Sequence, residues 1–211
     1  MTLYLSALHL NSAACRKQKI TDVYSLHRVV YDLFDDVRTE HQKQASVPSG
    51  IQWVDKGGDV RGRQLLILSD RSPNQPEYGE LQTKVLPDHF LLHKQYHFSV
   101  CLNPATRDTK THKLTPVRGR EAIGAWFCQR ATAWGIAVDP RQLQVEDINL
   151  LQVDAGTHKY ITLQQATLSG RLTVADPERF KTSFTQGIGR GRAFGCGLLQ
   201  IVPLTDNFFS E

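Results

Sequence analysis

Residues 22–34 read DVYSLHRVVYDLF. At helical period, Val23, Leu26, Val30, Leu33 and Phe34 fall on one stripe that Val37 extends, which predicts an amphipathic helix running to about Val37 with that stripe buried. Thr21 or Asp22 supplies the N-cap. Tyr24, His27 and Tyr31 stay off the stripe. They line one flank of it, with Arg28 just outside, at the border between core and water.

Outward from this helix the chain alternates in kind. The opening MTLYLSALHL is a first strand; it has no basic leader and turns polar by Asn11 and Arg16, which is expected of neither a signal peptide nor a membrane span. A basic connection, NSAACRKQKI, joins it to the helix. Beyond, IQWVDK and LLILSD around Gly57 and Gly58 read as a hairpin, GELQTKVL as a possible third strand, and YHFSVCLNP (96–104) as a strand ending at a proline. This order suggests an α+β unit of ferredoxin-like or RNA-recognition type over residues 1–104. The polar, basic stretch ATRDTKTHKLTP (105–116) reads as a linker.

A second unit then spans 117–211. REAIGAWFCQRATAWG is helical, with Ile123, Trp126, Phe127 and Trp134 as its buried face. LQVEDINLLQV and KYITLQQATLSGRLTV are strands with a turn near Gly156. Asp176, Pro177 and Glu178 start a helix that ends at Gly187, and CGLLQIVPL is a last strand. The second half repeats the order of the first without visible identity, in keeping with 211 residues making two units of roughly 100.

The bulk numbers narrow the functional classes. Lys and Arg exceed Asp and Glu by 25 to 21, an excess that suits a phosphate polymer if the cations cluster. Four cysteines, at 15, 101, 128 and 196, form no CxxC pair and read as reduced thiols of a cytoplasmic protein. His89, His93 and His97 have a ligand-like spacing, but their segment follows Pro87 and enters a strand, so a metal site is not expected. There is no GxSxG elbow.

The loop GIGRGRAFGCGLL has glycines at 187, 189, 191, 195 and 197, with Arg190 and Arg192 between them. It follows a helix and enters a strand, which excludes a Walker A loop and a dinucleotide fingerprint. Glycines let backbone amides approach an anion and the arginines add charge, so Gly189, Arg190, Gly191 and Arg192 fit a phosphate backbone; a helix cap with a tight turn is the competing reading. On the first helix, spacings of three and four bring Tyr24 to His27, His27 to Tyr31 and Tyr24 to Arg28. Such a group fits phosphodiester transesterification: RNA carries its own 2′-hydroxyl nucleophile, so an enzyme need only move protons and offset charge, without an obligatory metal or cofactor. A solvated or structural His27 fits the same pattern.

Taken together, YSLHRVVYDLF, CLNP, VRGREAIGAWF and QGIGRGRAFGCGLLQIVPL resemble the CasE family, the CRISPR repeat-processing endoribonucleases of type I-E Cascade systems. The likeness runs with gaps over nearly the whole chain and is weakest over 38–95. It implies two tandem ferredoxin-like domains that grip the stem-loop of the CRISPR repeat RNA and cut at its 3′ base without metal. The products are a 5′-hydroxyl and a 2′,3′-cyclic phosphate, and the guide is retained within a Cascade-type effector complex. By position, His27 becomes the proton-transfer residue and Tyr24 its companion near the 2′-hydroxyl; Arg28 and Tyr31 come from helix geometry alone. The family's groove-inserted hairpin corresponds to DAGTHKYITL, which offers only His158 and Lys159 as cations. Further RNA-binding candidates are Arg16, Lys17 and Lys19 in the first connection and Arg107, Lys110, Lys113, Arg118 and Arg120 around the linker. A non-cleaving RNA-binding subunit, or a protein-interaction subunit of the effector complex, are the rival readings.

Overall fold

A computed structural model of the chain describes residues 2–39, 41–42, 48–59, 61–154 and 160–204. Strand β1 (Tyr4–Asn11) leads through a short helix α1 (Ser12–Lys17) to the helix of the opening stretch, α2 (Val23–Tyr31). Strands β2 (Ile51–Asp59), β3 (Gly62–Ser69) and β4 (Glu80–Val85) complete an antiparallel sheet in the order β2-β3-β1-β4. That is the ferredoxin-like order, with the second helix replaced by an irregular segment at 70–79.

The second unit contains β5 (Gln95–Leu102), α3 (Arg120–Ala131), β8 (Ile136–Ala137), β9 (Gln144–Asp154), β10 (Tyr160–Val174), α4 (Pro177–Gln186) and β11 (Gln200–Pro203). Its sheet runs β11-β5-β10, with β9 and the short β8 both paired to β10. The last strand, β11, again lies beside the first, β5, whose other neighbour is β10. A small ribbon of β6 (Ala105–Arg107) and β7 (Leu114–Pro116) rises between β5 and α3.

This pairing corrects two expectations. Strand 95–102 opens the second sheet and does not close the first, so the boundary at 104 falls too late, and 105–116 is an insertion within the second unit. The reason is packing: Tyr96, Phe98, Val100 and Leu102 point alternately into the core that carries α3 and α4, with Phe98 against Phe127 and Tyr96 against Phe180, both at 5.4 Å between ring centres. Period-2 alternation announces a strand but not its partner. Likewise Gly57 and Gly58 lie inside β2, where the register with β3 slips, and the chain reverses two residues later.

Alternation also explains how the units meet. In the first sheet Leu8, Leu10, Ile51, Trp53, Leu65 and Ile67 face α2, while Leu3, Val54 and Leu68 on the opposite face join the core of the second unit. Gln52 crosses the boundary to donate to the Phe184 carbonyl at 2.9 Å, and the Lys56 ammonium donates to the Gln200 side chain at 2.8 Å. No described helix is long and apolar enough to cross a membrane.

Phe127 is fully buried and stacked on Phe98. Phe127→Ala is expected to lower unfolding free energy by about 3–5 kcal/mol in urea titration, the usual cost of an aromatic deletion in a packed core.

Candidate active site

Helix α2 starts as its sequence dictates. The Asp22 carboxylate accepts the Ser25 amide at 2.8 Å, and the Ser25 hydroxyl returns the favour to the Asp22 amide at 3.1 Å, a reciprocal capping box. The cap contributes about 1 kcal/mol. Burial of Leu26, Val29, Val30, Leu33 and Phe34 contributes about 1.5–3 kcal/mol each, so packing, not capping, holds this short helix. The helix stops at Tyr31, six residues before the expected Val37. Leu33 and Phe34 turn inward on i−3 hydrogen bonds, the Leu33 carbonyl accepts the Asn74 amide at 2.7 Å, and Val37 is left 67% exposed.

The flank of α2 carries the candidate group. His27 is half-buried, its ring 4.1 Å from that of Tyr31 and 6.2 Å from that of Tyr24, which is 57% exposed. Nδ1 of His27 is buried and has no hydrogen-bond partner among the described residues. Burial pushes the imidazole below its ordinary pKa, because the charged form loses solvation. The Tyr31 hydroxyl shares a hydrogen bond of 2.9 Å with the Ser49 hydroxyl. Arg28 is engaged elsewhere: its guanidinium donates to the Gln18 carbonyl at 3.1 Å and braces the loop between α1 and α2.

The glycine-rich loop arrives from the second unit. Gly187, Gly189, Gly191, Gly195 and Gly197 all have φ between +73° and +95°, a region costly for other residues. Two of them also serve close approach. A Cβ on Gly195 would stand 3.1 Å from the Trp53 ring, and one on Gly187 would stand 2.7 Å from the Gln52 side chain, so the loop lies against β2 of the first unit. Its turn Arg192–Phe194 packs on α2. The amides of Ile188, Phe194, Gly195, Cys196 and Gly197 are taken by carbonyls of the protein, which makes this half of the loop a packing device. Arg190 remains exposed and Arg192 half-buried.

Between the two units a polar cleft of about 730 Å³ opens beside α2, lined by Asp22, Lys56, Arg63, Asn149, Gln165 and Phe194 among others. Lys56 and Arg63 did not stand out in the sequence; their one signal is their place flanking the double glycine. Arg16, Lys17 and Lys19 are exposed at the end of α1. Arg107, Lys110 and Lys113 are exposed on the ribbon, and Arg118 is exposed beyond it. Arg120 is committed to structure: its guanidinium donates to the carbonyls of Val145 and Glu146, holding β9 to α3. His158 and Lys159 lie outside the described residues.

The histidine series is dispersed. His89 sits on a 3₁₀ turn, His93 lies edge-on to Tyr96, and His97 is exposed on β5. Among the described residues no group of three His, Cys, Asp or Glu side chains is gathered tightly enough to hold a metal. The four cysteines are free, with the sulfurs of Cys101 and Cys196 4.0 Å apart.

The family model described as CRISPR associated protein matches residues 3–203. The CRISPR-associated endoribonuclease Cse3 of Thermus thermophilus is 24% identical over 221 residues, covering 95% of this chain and all of the relative. The structure of Thermus thermophilus Cse3 bound to an RNA representing a pre-cleavage complex superposes with a TM-score of 0.79 at 22% identity, over 96% of this chain and 100% of that one. A chain of a CRISPR RNA-guided surveillance complex does so with a TM-score of 0.65 at 18% identity, over 95% of this chain and 100% of its own.

The depressed pKa of His27 has a signed consequence. The folded protein holds this proton less tightly than the unfolded chain, so the stability contributed by the neutral, buried ring is complete above the ordinary value of 6.5 and is lost as pH falls through the lowered folded value. Titration of the His27 ring by NMR should give a midpoint below 6.5; a midpoint above it would contradict the burial argument.

Proposed function

The chain belongs to the CRISPR-associated protein family, and from that premise we propose that it is a metal-independent endoribonuclease that binds the CRISPR repeat stem-loop and cuts precursor CRISPR RNA at the 3′ base of the stem. The observation that carries this reading is the presentation of His27 on the flank of α2. The ring is half-buried between Tyr24 and Tyr31, on a helix that packs against the turn of a loop whose Arg190 is exposed.

In the proposed reaction the 2′-oxygen of the nucleotide before the cut attacks the adjacent phosphorus, its proton leaves to a base, and the bond to the 5′-oxygen breaks as that oxygen gains a proton. The products are a 2′,3′-cyclic phosphate and a 5′-hydroxyl. His27 serves one of the two proton transfers through Nε2. Burial lowers the pKa of the ring below its ordinary value, which favours the neutral form able to accept a proton. Tyr24, exposed one turn before it, orients the attacking hydroxyl. Tyr31 backs the imidazole from the protein side.

Arg16, Lys17, Lys19, Arg190 and Arg192, with Arg107, Lys110, Lys113 and Arg118 on and beside the ribbon, contact phosphates of the stem, and His158 and Lys159 approach its groove. An A-form stem offers them phosphates and shape more than base edges. The protein works in the cytoplasm. It keeps its product and joins a Cascade-type effector complex, a reading supported by the likeness of its fold to a chain of a CRISPR RNA-guided surveillance complex.

Incubation of labelled repeat RNA in EDTA tests the reaction. The wild type should cut, and His27→Ala should slow cutting by about 10²–10⁴-fold, the usual contribution of a general acid or base, while RNA binding is retained. A 2′-deoxy nucleotide before the cut should abolish cleavage, and cutting that persists rules out 2′-hydroxyl attack. Tight binding without cutting by the wild type would identify a non-cleaving RNA-binding subunit, and neither activity would point to a protein-interaction role. Arg190→Ala should weaken binding of all RNA sequences alike and reduce the slope of log affinity against log salt by about one.

A further inference from the structure

We infer that Ser49 is a positioning residue for His27: its hydroxyl anchors the Tyr31 phenol, and the anchored ring sets the orientation of the imidazole. The inference rests on the reading of His27 as the proton-transfer group. A histidine in that role is commonly oriented by a hydrogen bond to its second nitrogen. Here that nitrogen, Nδ1, is buried and has no partner among the described residues, so packing does the orienting. Of the two flanking rings only Tyr31 is close, at 4.1 Å and tilted 41°, whereas Tyr24 is 6.2 Å away and largely in solvent.

Tyr31 lies at the last turn of α2 and gains its fixed position from outside the helix. Its hydroxyl meets the Ser49 hydroxyl at 2.9 Å, and the same Ser49 oxygen accepts the Ile51 amide at 3.3 Å at the start of β2. The carbonyl of Ser49 accepts the Arg71 guanidinium at 2.9 Å, and Arg71 is itself paired with Asp70 at 2.7 Å and lies over the Phe34 ring. Gly50, at φ +76°, has the Asp70 carboxylate where a Cβ would stand, and its carbonyl accepts the Asp70 amide at 3.1 Å. The turn that carries Ser49 is therefore locked from both strands of the β2–β3 pair. Rigid sheet holds serine, serine holds phenol, and phenol holds imidazole.

The test uses single-turnover cleavage of repeat RNA, RNA affinity, and NMR of the His27 ring protons in the RNA-free protein. Ser49→Ala should slow cleavage about tenfold, a partial loss of the acid–base contribution, with the dissociation constant for RNA unchanged. It should also move the His27 ring signals, which feel the ring current of Tyr31. Ser49→Thr, which keeps the hydroxyl, should restore both. If Ser49→Ala does not fold, Tyr31→Phe removes the same hydrogen bond from the other side and should give the same pair of changes. Wild-type rate together with unmoved His27 signals would overturn the proposal. Should the wild type fail to cut at all, the reading of the reaction falls, and the His27 signals alone still decide whether Ser49 orients the ring.

Discussion

The seating of the glycine-rich loop on the first unit is the contact on which the rest depends. A Cβ on Gly195 would stand 3.1 Å from the buried Trp53 ring, a tight contact, and the preceding turn of the same loop rests on α2. Close approach of backbone to an aromatic face gathers many weak dispersion contacts at once, and it requires glycine twice over, for space and for positive φ. It adds to the shared core and to the Gln52–Phe184 hydrogen bond in joining the two units, and the cleft between them is lined by Asp22, Lys56 and Arg63 of the first and by Asn149, Gln165 and Phe194 of the second.

That seating is backed by two faces of one sheet. One face of β1, β2 and β3 buries α2, and the other shares a core with the second unit. A central sheet with both faces covered has little freedom to tilt. The flank residues divide accordingly. Tyr31 is tied to the sheet through Ser49, His27 sits between protein and solvent, and Tyr24 stands outward. A proton-transfer group benefits from this arrangement because its geometry must be held while one nitrogen stays open to a ligand.

Much of this was legible in local pattern. The capping residue Asp22, the buried stripe of α2, the start of α4 at Asp176 and its end at Gly187 all follow from rules that span a few residues. Local pattern does not name partners. Alternation carries no address, so it does not tell that strand 95–102 pairs in the second sheet, and two short strands with polar turns lack any period that would set 105–116 apart from a linker. No glycine or proline marks the helix end at Tyr31; past it the Leu33 carbonyl accepts the distant Asn74 amide and Phe34 lies beneath Arg71, contacts that no local pattern carries.

The sequence alone determined the kinds and order of the main helices and strands and the placing of Tyr24, His27 and Tyr31 on one helical flank, since these depend on periods of two and 3.6 that neighbours in the chain enforce. Only the tertiary structure shows that the amides of Ile188, Phe194, Gly195, Cys196 and Gly197 are taken by carbonyls, that Arg28 and Arg120 donate to carbonyls, and that Ser49, eighteen residues from Tyr31, shares a hydrogen bond with its phenol. Those facts depend on contacts between distant segments, and such contacts are chosen by the competition of whole surfaces for burial, which no local window of sequence contains.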